Sequence, residues 1–170
     1  MNISPNLIVK QSNVDRAGVF TTVDVKAGQT ILEFGGTKLN AQQIQLENVA
    51  PDHYLQIGAD LYLTLSGSID DLINHSCSPN SAVNVRAERA FLVAIFDIAA
   101  DSELTFDYSL TSTERPDQWT MKCKCGSYSC RKQISGYTSL SETVKQYYKQ
   151  IGSKVGDITA PMIPKYVEGI

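Results

Sequence analysis

The sequence predicts a mainly β domain with short helices. Short apolar runs rich in β-branched and aromatic residues recur along most of the chain, and glycine or polar turn residues separate them. Only two stretches have helical spacing. With 170 residues, of which 42% are hydrophobic, the chain has the size and apolar content of one ordinary domain.

The predicted elements follow one another closely. Strands are expected, in order, at residues 7–10, 18–22, 30–34, 54–57, 61–65, 82–86, 91–96 and 103–108. Asn40 is expected to cap a short helix over residues 41–47. Ser139 and Glu142 have the spacing of a capping box, which would open a second helix that runs to about residue 151. Residues 70–80 and the tail past 152 show no regular pattern.

Charge and hydropathy exclude several functional classes. The net charge is −3 and the pI is about 5.3, and the basic residues that do cluster are interleaved with cysteines, so we predict no direct nucleic-acid binding. No apolar run approaches the roughly 20 residues that span a bilayer, and residues 1–10 lack a signal-peptide pattern. We therefore expect an intracellular protein, cytoplasmic or nuclear, that is neither secreted nor bound to a membrane. A mildly acidic protein can still receive a basic peptide.

The four cysteines have an informative spacing. Cys123, Cys125 and Cys130 lie close together, and Cys77 is far upstream. Tetrahedral zinc takes four ligands, so the group of three leaves one place that Cys77 could fill. The alternatives are two disulfides or ordinary buried thiols. A reducing compartment disfavours disulfides, and a bridge between Cys123 and Cys125 would be strained. The spacing favours zinc but does not match a common zinc finger.

Two further segments combine polar and aromatic residues. Residues 74–80 read Asn-His-Ser-Cys-Ser-Pro-Asn, which suits either a ligand-binding loop or a surface turn. Residues 103–108 read Glu-Leu-Thr-Phe-Asp-Tyr, and alternation places Phe106 and Tyr108 on one face of a strand. Taken alone, this second segment favours a core strand with a partly buried tyrosine, because aromatic residues in strands usually only pack.

In this order, and followed by the cysteine loop, the two segments closely resemble the SET-domain protein lysine methyltransferases. Both match the family's Asn-His-Ser-Cys-x-Pro-Asn and Glu-Leu-Thr-Phe-Asp-Tyr motifs at every fixed position. The cysteines of residues 123–131 resemble its post-SET zinc segment. Residues 16–20 are similar to its first motif, and residues 33–36 occupy the place of its Glu-Tyr-x-Gly. The resemblance extends from about residue 7 to residue 136.

The resemblance implies a fold of small curled sheets in which the segment carrying Tyr108 passes beneath a loop near the Asn-His motif, forming a pseudoknot. It also implies a zinc-bound post-SET loop with Cys77, Cys123, Cys125 and Cys130 as metal ligands. The expected organisation is a SET domain at residues 5–110, a post-SET zinc segment at 119–136, and a C-terminal helix and tail at 137–170.

The activity that the resemblance implies is methyl transfer from S-adenosylmethionine to a lysine side chain of a protein or peptide, with histones among the candidate substrates. Tyr108 is the expected catalytic residue. The expected channel walls are Phe34, Tyr62 and Phe106, whose apolar rings would favour the neutral amine. The residues expected at the cofactor are Arg16, Ala17, Gly18, Tyr54, Asn74, His75, Tyr108 and Ile134.

Two positions depart from the family pattern. Arg16 stands where the first motif usually has glycine, so its side chain either points away or contacts the cofactor carboxylate. The arginine that often precedes Asn-His is replaced by Asp70-Asp71. Two alternatives to histone methylation remain open: a non-catalytic interaction module with the same fold, and an enzyme with a non-histone substrate.

Overall fold

The computed structural model describes residues 6–113 and 119–154, so residue 5, the stretch 114–118 and the tail 155–170 of the predicted domains lie outside the described residues. The regular elements of the described part are β1 (Leu7–Gln11), β2 (Ala17–Thr21), β3 (Thr30–Glu33), β4 (Lys38–Leu39), α1 (Ala41–Leu46), β5 (Tyr54–Gly58), β6 (Leu61–Thr64), β7 (Asn74–His75), β8 (Ser81–Arg86), β9 (Arg89–Ala94), β10 (Thr105–Phe106), β11 (Met121–Lys122), β12 (Gln133–Ile134) and α2 (Glu142–Lys154). Three short 3₁₀ helices lie at Ile69–Leu72, Tyr108–Thr111 and Tyr137–Ser139.

Small sheets dominate the architecture, which confirms the predicted mainly β class. Strands β1 and β2 form an antiparallel pair, and β11 pairs with β12 in the same way. Two three-stranded antiparallel sheets have the orders β3-β9-β8 and β4-β6-β5. Among the described residues, no helix combines the length and the apolar character needed to cross a membrane.

One pairing is parallel, and it joins segments that are distant in the sequence. Strand β7 pairs with β10, which sets Asn74 beside Thr105 and His75 beside Phe106. On the other side of β10, the Asn80 side chain accepts a hydrogen bond from the Thr105 N–H and donates to the carbonyl of Glu103. Residues on both sides of the 76–79 loop therefore hold the same segment. This is the threaded crossing that the resemblance implies, and such crossings are rare.

The ends of the elements differ in detail from the sequence predictions. Asn40 caps α1 as predicted, in a full capping box with Gln43. The second helix begins later than Ser139, because the Ser141 hydroxyl accepts the Val144 N–H at 3.4 Å and Ser139 ends a 3₁₀ turn. Strand β10 is also shorter than predicted, since the chain turns into a 3₁₀ helix at Tyr108.

The backbone of Arg16 explains why the first motif usually has glycine there. Arg16 has a φ of 35°, in the left-handed region that a side chain disfavours, and its own side chain is 92% exposed. Two residues on, a Cβ on Gly18 would lie 2.2 Å from the Glu103 carboxylate oxygen. Conformation therefore favours glycine at position 16, and space requires it at position 18.

Replacing Arg16 by glycine should stabilise the fold. Relief of the strained backbone outweighs the extra chain entropy of glycine, so we expect the melting temperature to rise by about 2 °C, measured by calorimetry. Arg16→Ala is the matched control, because it removes the guanidinium but keeps a Cβ at positive φ. An equal gain in both variants would show that the backbone is not the cause.

Candidate active site and metal centre

Two cavities meet at Tyr108, which lines both of them. The first, with a volume of about 80 Å³, is lined mainly by the residues that follow β3, by β5 and β6, by the 70–73 turn and by Trp119. The second, also about 80 Å³, lies between the first motif, the Asn-His motif and the cysteine segment. Its lining residues are Val14, Asp15, Asn74, His75, Tyr108, Met121, Lys122, Lys124 and Ile134.

The hydroxyl of Tyr108 is fixed and keeps its proton. It donates a hydrogen bond of 2.8 Å to the carbonyl of Ile73, and the Tyr108 backbone N–H donates to Nδ1 of His75 at 3.2 Å. Burial raises the pKa of Tyr108, and nearby carboxylates, first among them Asp15, raise it further. The phenol therefore stays protonated at neutral pH, and its oxygen keeps lone pairs that can accept another donor.

Aromatic rings form one end of the first cavity. The centroid of Phe106 lies 5.8 Å from that of Phe34 and 4.8 Å from that of Tyr108. These three side chains all line the cavity. A buried apolar surface of this kind disfavours an ammonium ion relative to the neutral amine.

Three acidic side chains also line this cavity: Asp52, Asp70 and Asp71. Asp70 accepts hydrogen bonds from the Gly35 N–H and the Ser66 hydroxyl, and Asp71 accepts the N–H groups of Ser66 and Gly67. The two aspartates that replace the usual arginine thus bind the 66–67 turn and join it to Gly35.

Two of the predicted tyrosines lie elsewhere than expected. Tyr62 does not line the first cavity, although Leu63 and Thr64 of the same strand do. The Tyr62 ring packs edge to face on the Tyr54 ring, with the ring centroids 5.2 Å apart. Both rings line a separate cavity under α1. Tyr54 lines the first cavity and the α1 cavity, so it lies away from the second cavity, where a cofactor contact was expected.

The first motif contacts the second cavity differently from the prediction. The Arg16 side chain points to solvent, and Asp15 lines the cavity in its place. The carbonyl of Ala17 accepts a 2.9 Å hydrogen bond from the Asn74 side chain, which also donates to Glu103. The Asn74 amide and Gly18 therefore connect the first motif, at residues 16–20, to the Asn-His motif and to the segment that begins at Glu103.

The second cavity is apolar on one side and ionic on the other. Ile134 is buried, and Met121 is half-buried. Lys124 forms an ion pair of 2.9 Å with Asp15, and its hydrogen bond lowers the pKa of that carboxyl. Such a lining suits a ligand that carries an aromatic base together with a charged amino-acid group.

The cysteine sulfurs have the spacing of a metal site. A tetrahedron with metal–sulfur bonds of about 2.3 Å separates its sulfurs by about 3.8 Å. The Cys123 Sγ lies 3.7 Å from that of Cys77 and 3.5 Å from that of Cys130. Burial raises the pKa values of Cys77 and Cys123, and a bound cation is what would reverse that preference. The site therefore fits zinc.

His75 also lies close enough to the sulfurs to be considered as a ligand. Its side chain groups with Cys77, Cys123 and Cys125 within 4.8 Å, whereas Cys130 lies outside that group. However, its Nδ1 accepts the Tyr108 N–H, so the ring proton is on Nε2, which lies 3.3 Å from the Cys77 Sγ. Burial lowers the pKa of His75 to about 4, against the charge of Asp107, so the ring is neutral. A protonated Nε2 donates to sulfur and cannot bind a metal, which leaves Cys130 as the better fourth ligand.

Several residues at the site were not predicted from the sequence. Trp119 lines the first cavity, and as the single tryptophan of the chain it was a usable signal. Met121 and Asp15 line the second cavity but carry no motif. The buried Asp107 forms an ion pair at 2.7 Å with the half-buried Arg131, which only their places inside the two recognised motifs could have indicated.

Comparison with known proteins agrees with this geometry. Residues 16–109 match the family model described as SET domain. A variant-silencing SET domain-containing protein of Plasmodium falciparum is 32% identical over an alignment of length 142, which covers 74% of this chain and 5% of that protein. The "Histone-lysine N-methyltransferase, H3 lysine-4 specific" of Emericella nidulans is 27% identical, over 71% of this chain and 11% of its own length.

A solved structure has the same fold. KRYPTONITE, crystallised with mCHH DNA, an H3(1-15) peptide and SAH, superposes with a TM-score of 0.60 at 26% identity, covering 76% of this chain and 29% of that one. The chain thus spans only a small part of the curated relatives that it matches. Since the family model covers more than half of the 170 residues, the chain belongs to the SET domain family.

Proposed function

We propose that this chain transfers a methyl group from S-adenosylmethionine to a lysine side chain of a protein, with histones as the first substrates to test. The observation that carries the proposal is that the two cavities meet at Tyr108. Methyl transfer needs a donor and an acceptor that reach one point from opposite sides. Similarity to histone-lysine methyltransferases and to a fold crystallised with a histone peptide supports the same reaction.

The first cavity would receive the lysine. Carboxylates at Asp52, Asp70 and Asp71 would attract the ammonium form, and the rings of Phe34 and Phe106 would favour the neutral amine. A free lysine has a pKa of about 10.4, so the apolar rings would help the amine to lose its proton before it reacts. We propose Phe34 and Phe106 as channel walls, with Trp119 and Tyr54 in place of Tyr62.

The second cavity would receive S-adenosylmethionine, which supplies an electrophilic methyl group on a sulfonium. Ile134 and Met121 offer an apolar surface, Asp15 and Lys124 offer charges of both signs, and the backbone of Asn74 and His75 offers polar groups. The lysine nitrogen would form its new N–C bond as the C–S bond breaks, which releases the thioether product.

Tyr108 would orient the amine rather than deprotonate it. Its own proton is bound by the Ile73 carbonyl, and its raised pKa keeps the phenol neutral. The phenol oxygen can therefore accept an amine N–H, which directs the nitrogen lone pair toward the methyl group.

We also propose zinc at Cys77, Cys123, Cys125 and Cys130. His75 would donate from Nε2 to the Cys77 thiolate, and its Nδ1 would hold the Tyr108 backbone. The metal would thereby order the cysteine segment that carries Ile134 and Lys124. We propose the division into a SET domain, a zinc segment and a C-terminal helix on the same grounds, together with an intracellular, reducing location.

The function is tested by labelled-methyl transfer to a panel of histones and to cell lysate. Wild type should label lysine, and Tyr108→Phe should reduce kcat by about 10²-fold, because one preorganised hydrogen-bond partner of the amine is lost. Tyr128→Phe is the control, since that tyrosine is fully exposed. A wild-type protein that binds no S-adenosylmethionine in calorimetry would overturn the proposal. Cofactor binding without transfer to any substrate would favour the interaction module.

The pH dependence tests the role of the phenol. The rate should rise with pH as the neutral fraction of the substrate amine grows, and it should not fall through ionisation of Tyr108 below pH 10, because that pKa is raised. Tyr108→Phe should keep the midpoint of the rising limb while lowering its height. Loss of the rising limb in the variant would identify Tyr108 as the base.

Metal analysis distinguishes the two ligand sets. Reduced wild type should hold one zinc ion per chain against a competing chelator, and its cobalt derivative should give a tetrahedral four-thiolate spectrum. Cys130→Ala should lose the metal, whereas His75→Gln should keep both the metal and the spectrum. The opposite pattern would make His75 the fourth ligand.

A further inference from the structure

The carboxylate of Asp107 is almost completely buried between the two aromatic residues of the Tyr108 segment. It is 1% exposed, and its neighbours in the chain are Phe106 and Tyr108. Its Oδ1 accepts the Ser109 N–H at 3.1 Å, so it caps the 3₁₀ helix that Tyr108 begins. A charge removed from water to this extent needs strong partners, and those partners determine how firmly the segment is held.

The first strong partner comes from the cysteine segment. The guanidinium of Arg131 donates two parallel hydrogen bonds of 2.7 Å, one to each oxygen of Asp107. The backbone N–H of Arg131 points to the Cys77 Sγ at 3.4 Å. Arg131 is therefore held at one end by the cysteine cluster and at the other by Asp107.

The second partner comes from α2, outside the part of the chain that matches the family model. The hydroxyl of Tyr148 donates to Oδ2 of Asp107 at 2.9 Å, and the side chain is 1% exposed. Burial and the neighbouring carboxylate raise the pKa of Tyr148, so its hydroxyl retains the proton that it donates. Its ring also belongs to the main hydrophobic core.

We propose that Tyr148 is a positioning residue for methyl transfer, which acts on Tyr108 through the carboxylate of Asp107. The inference rests on the proposed function. Arg131 and Tyr148 hold both oxygens of Asp107, so the carboxylate cannot rotate, and the turn that starts at Tyr108 keeps its direction. The C-terminal helix thereby becomes part of the catalytic unit.

The test is Tyr148→Phe, which removes one hydroxyl, keeps the buried ring, and lies far from the cysteines in the sequence. The control is Tyr147→Phe, because Tyr147 is the preceding residue on the same helix and is 44% exposed. We expect Tyr148→Phe to lower kcat by about tenfold with unchanged KM values, since a single hydrogen bond to a buried charge is lost. The control should match wild type.

Hydrogen exchange followed by mass spectrometry supplies a readout that does not depend on activity. Amides of residues 105–110 should exchange faster in Tyr148→Phe, while the rest of the chain and the control stay unchanged. Unchanged exchange in that segment, or a wild-type kcat, would overturn the positioning role. A uniform rise along the chain would also overturn it, since it would show only a general loss of stability. If wild type transfers no methyl group, the proposed function fails and the role of Tyr148 in methyl transfer fails with it, and the exchange result then shows only whether Tyr148 holds residues 105–110 in place.

Discussion

Two residue pairs in parallel register determine the arrangement of the whole site. Strands β7 and β10 place His75 beside Phe106, and this pairing brings together segments about 30 residues apart in the sequence. The side chain of Asn80 and the Asn74 amide then secure the same segment from two further directions. Because the pairing is so short, its geometry depends on these side-chain hydrogen bonds more than on the strand ladder itself.

The second constraint is the desolvation of charge beside that pairing. Asp107 is buried and pairs with the half-buried Arg131, and burial makes such a carboxylate costly unless it is fully hydrogen-bonded. The bidentate guanidinium, the Tyr148 hydroxyl and the Ser109 N–H meet that requirement. The Asp107 carboxylate thus links the cysteine segment, the C-terminal helix and Tyr108. These three parts of the chain share no sequence pattern.

Much of this could be predicted from the sequence, and the reasons for the failures are physical. Short strands and the Asn40 cap have local signals, so they were found. Tyr62 lies away from the first cavity because the register of β6, which decides where each of its side chains lies, is a tertiary property. Ser139 was predicted as the cap because Glu142 follows it at capping-box spacing, whereas the helix begins at Glu142 and the Ser141 hydroxyl accepts the Val144 N–H. The departures Arg16 and Asp71 were visible, but only the structure shows that one points to solvent and the other binds a turn.

The same constraints bear on how this chain would carry out the proposed reaction. The cavity proposed for the amine has both aromatic rings and carboxylates in its lining, so attraction of the ammonium form and preference for the neutral amine would fall to different residues. Tyr108 needs no unusual acidity for its task, because the Ile73 carbonyl fixes its proton and burial keeps it there. The proposed reaction would therefore require mainly that the protein hold the reacting groups in place. Buried polar contacts that converge on residues 74–77 and 105–109 would do this, which explains why these two short segments carry the family's motifs.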